Sequence, residues 1–456
     1  MPGNNKGTKP AFAGILHLAF ASVTLKKIFF YRKAHVLQIV KTFGGWVDSL
    51  AKKDPQKARS LLRLGWQAQE LKFRFFPDKR LMKADQYLAD LMMKMMIAPF
   101  KKKGESAMVS IFTPCEMVQE AGLNPYNTEA MSSYLTGSCA QEPFLEEAEK
   151  YGISETLCSY HKTFSGAARA GLLPKPRCIV YTTLACDANL LTFRSLADFY
   201  GVPAFCIDVP MDQDEDAVSY VASELKDLKV FLEKNTGKKI DEDSLRDRVS
   251  KSQKSIENYQ EYQKARKDRY IPTNVVTPLY CGMTNNVLLG SDEVLKYTSM
   301  LLEGAKKAGP ARGKRIYWMH TIPFWSEAVK EKFIFSERAQ IIGCELSETC
   351  DMTFDPADPY KAMAGRLVYH CLNGSINRRI EAGIRHARQA GADAVIWFNQ
   401  AGCRHTQGGA LLARKKFEEA GLPFLILDGD GCDPSRGNEG QMATRLEAFL
   451  EMLENI

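Results

Sequence analysis

Two segments of the chain repeat one arrangement, and that arrangement restricts the fold more than any other feature. Residues 177–210 read RCIVYTTLACDANLLTFRSLADFYGVPAFCIDVP, and residues 393–430 read DAVIWFNQAGCRHTQGGALLARKKFEEAGLPFLILDGD. Each holds an apolar run of strand length, a polar loop with one cysteine, and a stretch with helical spacing. Each then has Gly-x-Pro and a second apolar run that ends in aspartate. Two strands joined through a helix form a βαβ unit, and its strands must lie parallel. Two such units imply two α/β lobes. Cys186 precedes Pro203 by 17 residues and Cys403 precedes Pro423 by 20. Both cysteines therefore follow the carboxyl end of a strand, where open α/β sheets place their ligands.

The rest of the chain extends this pattern. At 456 residues it is too long for one ordinary domain. Strands are expected at 107–113, 177–183 and 203–209, and again at 315–320, 340–346, 393–399 and 423–429. The fold expected is α/β, with two flavodoxin-like (Rossmann-like) lobes of parallel sheet preceded by a helical N-terminal region. The boundaries expected are 1–104, 105–310 with a helical insertion at about 212–270, and 311–456. The insertion should be two helices broken near Gly237. Residues 1–104 carry 21 Lys and Arg against 6 Asp and Glu, a balance of +15 in a chain whose net charge is +7. The lysines alternate with apolar residues at helical spacing, as in LMKADQYLADLMMKMM with Leu88, Met92 and Met96. That pattern fits a helical subdomain with a cationic outer face, or a wall for an acidic partner or an anionic ligand, better than a nucleic-acid surface. The apolar run Ala11 to Phe20 is too short to span a bilayer and reads as a helix of the folded protein.

The chain has twelve cysteines and no CxxC pair. This argues against a disulfide scaffold and a zinc ribbon, and for reduced thiols in a cytoplasmic protein. Cys178, Cys206 and Cys344 lie inside apolar strands, where burial alone accounts for them. Cys186 and Cys403 would face each other across a cleft between lobes as metal ligands. Cys158, in TLCSYHK, is the third candidate, and Cys432, in DGDGCDP, is a reserve. Three thiolates select an iron–sulfur cluster or zinc, and spacing leaves both open.

The motifs CSYHK (158–162), TTLACDAN (182–189), IDVP (207–210) and DGDGCDP (428–434), with TPCEMVQEAGLNPY (113–126) and NGSINRR (373–379), form a series. It resembles the iron–sulfur subunits of 2-hydroxyacyl-CoA dehydratases, a family that includes benzoyl-CoA reductase subunits and double-cubane cluster proteins. The resemblance spans about 105–450. It implies a [4Fe–4S] cluster held by Cys158, Cys186 and Cys403 with its fourth position open. It further implies one-electron reduction by an ATP-dependent activator, and elimination of water from a 2-hydroxyacyl-CoA through a ketyl radical. A related sister subunit is implied as well, or a second copy of the chain. The chain has no P-loop pattern, so the activator must be a separate protein. His161 and His405 would move protons; Ser159 and Asn189 would donate hydrogen bonds to cluster sulfides or to the thioester oxygen. Asp187 reads as a helix N-cap. Arg378 and Arg379 suit either CoA phosphates or ion pairs, and His320 in HTIPFW suits either the acyl pocket or the core. The alternatives are a double-cubane [8Fe–9S] reductase that recruits Cys432, Cys139 or Cys115, an electron-relay sister subunit without an acyl pocket, and a structural zinc protein.

Overall fold

The computed structural model describes residues 38–101 and 104–455. Among the described residues, eight strands form two four-stranded sheets. The first contains β1 (Ser106–Val109), β2 (Asn124–Asn127), β3 (Cys178–Thr182) and β4 (Ala204–Ile207), in the order β2-β1-β3-β4. The second contains β5 (Lys314–Met319), β6 (Ala339–Cys344), β7 (Ala394–Gln400) and β8 (Phe424–Gly429), in the order β6-β5-β7-β8. Every pairing within the two sheets is parallel. The inner strands are largely apolar and buried because helices cover both faces: all five residues of β3 are buried. The two sheets share one strand order. In each, the connection reverses direction between the first and third strands, and the crevice at such a switch point is where these sheets bind ligands. The cysteine loops follow β3 and β7, so both open at a switch point.

One strand has no signal in the sequence. β2, Asn-Pro-Tyr-Asn, has turn-like composition, yet it pairs with β1 at the sheet edge, where a proline costs no ladder bond on its open side. The helical insertion is as expected: Glu215–Thr236 and Glu242–Ala265 are separated at Gly237, whose φ of 74° ends the first helix. Asp214 and Asp241 cap the two N-termini through their side chains.

The described N-terminal residues are helical, with Pro55–Phe75 and Lys83–Lys101 packed on each other. They do not form an independent unit. Leu62, Trp66, Leu88, Met92 and Met96 belong to one continuous apolar cluster with Val109, Val180 and Leu225. Arg59 Nε and Nη2 also donate to the carbonyls of Leu172 and Leu173 at 2.8 and 3.0 Å, behind the helix Ser159–Arg169. The run Ala11–Phe20 lies outside the described residues. Among the described residues, no helix is long and apolar enough to cross a membrane. The second sheet has a separate cluster on each face, one around Trp318 and Phe398 and one around Trp397 and Phe417.

Candidate metal centre and cavity

Four cysteines line one cavity of about 2050 Å³, and three of them are the expected ligands. Cys186 sits in the loop after β3. Cys403 sits in the equivalent loop after β7. Cys158 occupies the N-cap of the helix Ser159–Arg169. All three line the cavity, and each of the other two thiols opposes ionisation of Cys158 by its charge. The loops owe this convergence to backbone that bends sharply before each strand-end cysteine. Ala185 has φ of 63° and Gly402 has φ of 74°, both left-handed. At Gly402 a Cβ would lie 2.7 Å from the Thr156 carbonyl oxygen and 2.8 Å from the Cys158 nitrogen. The absence of a side chain there lets the Cys403 loop press directly onto the Cys158 loop.

Burial sets the protonation of these groups. It raises the Cys158 thiol well above its ordinary value, and the charges of Cys403 and Cys186 add to the effect. It pushes Cys186 up to about 12, with Cys403 adding, while the backbone N–H groups of Ala188 and Asn189 act in the opposite direction. His161 is held at about 4 and His405 at about 4 by burial, so both are neutral near pH 7. The tautomer of His161 follows from its partner. Thr192 uses its hydroxyl hydrogen on the Ala188 carbonyl at 2.8 Å, so it accepts from His161 Nδ1 at 2.8 Å. The Nε2 lone pair then faces Cys186 Sγ at 3.4 Å.

The second lobe supplies a matching imidazole that the sequence left undecided. His320, with φ of 74°, lines the cavity and places Nε2 3.7 Å from Cys403 Sγ. Its backbone N–H donates to Glu345 at 3.0 Å. Glu345 accepts two 2.7 Å bonds from Arg379, whose Nη1 also donates to the His405 carbonyl at 2.8 Å. All three guanidinium nitrogens of Arg379 are thereby engaged and buried, so it is not available to a phosphate. Arg378 donates instead to the Met211 carbonyl.

The other candidates divide between wall and support. Asn189 lines the cavity; its amide N–H donates to the Thr182 carbonyl at 3.1 Å and its Oδ1 has no protein partner. His405 lines it too, with Nε2 unpartnered. Ser159 is buried and donates to Asp430, which also accepts the backbone N–H groups of Cys432 and Asp433, each at 2.9 Å. Asp187 occupies an N-cap position without a capping side-chain bond. Cys115 and Cys432 are fully buried and lie outside the cavity wall, whereas Cys139 lines it. Sequence reasoning missed Glu129, which lines the cavity and is raised to about 6 by burial despite hydrogen bonds from Ile111, Asn127 and Thr128. Among the described residues, no three His, Cys, Asp or Glu side chains converge closely enough to hold a single metal ion.

The donor set is soft, and it surrounds a shared space. Residues 110–453 match the family described as 2-hydroxyglutaryl-CoA dehydratase, D-component. The chain belongs to that family. It is 22% identical over 348 residues to a benzoyl-CoA reductase subunit of Thauera aromatica, covering 68% of this chain and 79% of that one. It is 22% identical over 360 residues to the (R)-phenyllactyl-CoA dehydratase alpha subunit of Clostridium sporogenes, covering 75% and 87%. Similarity to the (R)-2-hydroxyisocaproyl-CoA dehydratase alpha subunit of Clostridioides difficile is 21% over 389 residues, covering 80% and 95%. The chain is therefore an enzyme component of a group of CoA dehydratases, which are hydro-lyases, with a CoA reductase subunit among its relatives.

Proposed function

We propose that the chain is the iron–sulfur subunit of a 2-hydroxyacyl-CoA dehydratase, with Cys158, Cys186 and Cys403 as the ligands of one [4Fe–4S] cluster. The observation that carries this reading is the meeting of three thiols, from three separate loops, on the wall of one large cavity. Soft thiolates arranged around a volume suit a polynuclear iron–sulfur group. When bound, the cluster would supply one low-potential electron to a thioester carbonyl beside it.

The chain's own residues prepare that position. Burial keeps the Cys158 and Cys186 thiols neutral in the iron-free protein, so ligation must release their protons, and loading should improve as pH rises. His161 Nε2 is placed to accept the proton leaving Cys186 Sγ. Asn189, His405 and His320 line the cavity on the thiol side, where the imidazoles can donate to the acyl oxygen or move a proton at the substrate and Asn189 Oδ1 can accept a hydrogen bond. Ser159 acts through Asp430 to hold the Cys158 loop against the loop after β8. A related sister subunit and an ATP-dependent activator complete the proposal, because the chain has no phosphate loop of its own. Of the thiols a double cubane would recruit, Cys115 and Cys432 lie away from the wall and Cys139 lines it.

The test is iron and acid-labile sulfide per chain in anaerobically purified protein, with Cys403→Ser beside it. About four of each, collapsing in the variant, is the expected result. About eight irons would replace the reading with the double-cubane reductase, and iron-free protein would end both.

A further inference from the structure

The basic helices that precede residue 110 lie outside the family match, yet they build one wall of the cavity. Phe43, Trp66 and Phe73 line it from that side, together with Lys41 and Lys72. Trp66 is fixed in place. Its Nε1 donates to Ser138 at 3.1 Å and its ring stands edge-on to Phe100 at 5.5 Å and Tyr134 at 5.7 Å.

The cavity has two ends, set by the helix Thr128–Gly137, which lines it with Glu129, Ser133, Tyr134 and Thr136. Glu129, at the start of this helix, is close enough to Cys186 for its charge to raise that thiol. Cys139, just past the end, feels the charges of Lys41 and Lys330. Ten residues of helix separate the ends, a length of about 15 Å. The pantetheine arm of CoA, equal to roughly four or five extended peptide units, spans about the same distance. The wall carries charges of both signs. Lys41 and Lys72 come from the N-terminal helices. From the second sheet's side of the chain, Glu327 is paired with Lys330 at 2.7 Å, Glu439 accepts the Ala328 backbone N–H at 3.0 Å, and Glu331 also lines the wall.

We propose that the N-terminal helices are the CoA-binding wall, with Lys41 and Lys72 meeting the phosphates and the aromatic side chains sheathing the arm that reaches to the thiols. This rests on the dehydratase reading, and it gives the unexplained basic region a specific ligand. The lysines of the N-terminal helices take the phosphorylated nucleotide, the apolar middle takes the arm, and the thiol end takes the thioester.

Binding of acetyl-CoA and of S-acetylpantetheine to the full anaerobic chain tests it, because the two differ only in the phosphorylated nucleotide. Wild type should bind acetyl-CoA more tightly, and added salt should narrow the difference. Lys41→Glu and Lys72→Glu should each weaken acetyl-CoA about tenfold or more and leave S-acetylpantetheine unchanged, since each removes a charge-assisted contact. Both lysines are exposed, so the fold should tolerate the changes, and unchanged iron content would verify that. Lys52→Glu, on the same helical region but outside the cavity wall, should bind like wild type. Normal acetyl-CoA binding by both cavity-side variants would overturn the CoA wall and leave the dehydratase reading standing. No binding of either compound by wild type would remove the dehydratase reading itself.

Discussion

The loops bearing Cys186 and Cys403 occupy the same place in two sheets of the same strand order, yet their surroundings differ. In the first lobe the cysteine faces a neutral imidazole, His161, whose other nitrogen is bonded to Thr192. In the second, the cysteine faces His320, whose Nδ1 has no protein partner, and a buried ion pair lies directly behind. Ala185 reaches a left-handed conformation with a side chain in place; Gly402 reaches it where no side chain would fit. The fold thus determines where each cysteine stands, and the neighbours determine how rigidly and in what field it is held. The first loop is braced by neutral hydrogen bonds. The second depends on a charge pair and on close backbone contact.

The largest effect should come from breaking the charged support. Arg379→Met leaves Glu345 buried without its partner, and unfolding by urea should show a loss of about 3–5 kcal/mol. Pairing it with Glu345→Gln should restore much of that; a double variant as unstable as the single would mean that Arg379 matters for packing on Trp397 instead.

Next is Gly402→Ala. Left-handed strain and the contact with the Cys158 loop together predict about 2–4 kcal/mol, with iron loading reduced more than stability alone would explain. Unchanged loading would show that the two loops can separate without harming the centre.

Acid titration separates the effect of burial from anything peculiar to the loops. His370 lies outside both, buried against the Phe112 ring at 4.9 Å, and burial holds it at about 3 against an ordinary 6.5. The unfolded chain binds that proton first, so the stability His370 contributes is present above about pH 6.5 and is lost as pH falls toward 3. His370→Asn should flatten the decline by about 1–3 kcal/mol over that window. An unaltered pH profile would show that the native chain admits the proton freely.

Ala185→Gly should have the smallest effect. Relief of left-handed strain and the greater entropy of the unfolded chain oppose each other, leaving a change within about 1 kcal/mol. A loss as large as that of Gly402→Ala would erase the contrast between the loops.

Local chemistry determined a good part of this protein. Apolar runs of strand length, the helix break at Gly237 and the position of cysteines past strand ends all follow from patterns a few residues long. The motifs around Cys158, Cys186 and Cys432 carry the family resemblance, which the match over residues 110–453 bears out. Contacts distant in sequence carry no such pattern. β2 is a strand because β1 offers it an edge, although Asn-Pro-Tyr-Asn has the composition of a turn. Ser159 is adjacent to Cys158 and in the sequence looks free to act on a ligand; folding brings Asp430 from 271 residues away to accept its hydrogen. Arg379 reads as a phosphate-binding or ion-pairing residue; it makes an ion pair, and folding supplies the partner, Glu345, which follows the end of a buried strand. The N-terminal helices read as a separate body, and packing joins them to the first core. Sequence determines which segments can form strands, helices and loops, because those preferences act over a few residues. Only the tertiary structure decides which polar groups are paired and which walls a cavity has, because burial makes an unpaired group costly and selects partners by distance in space.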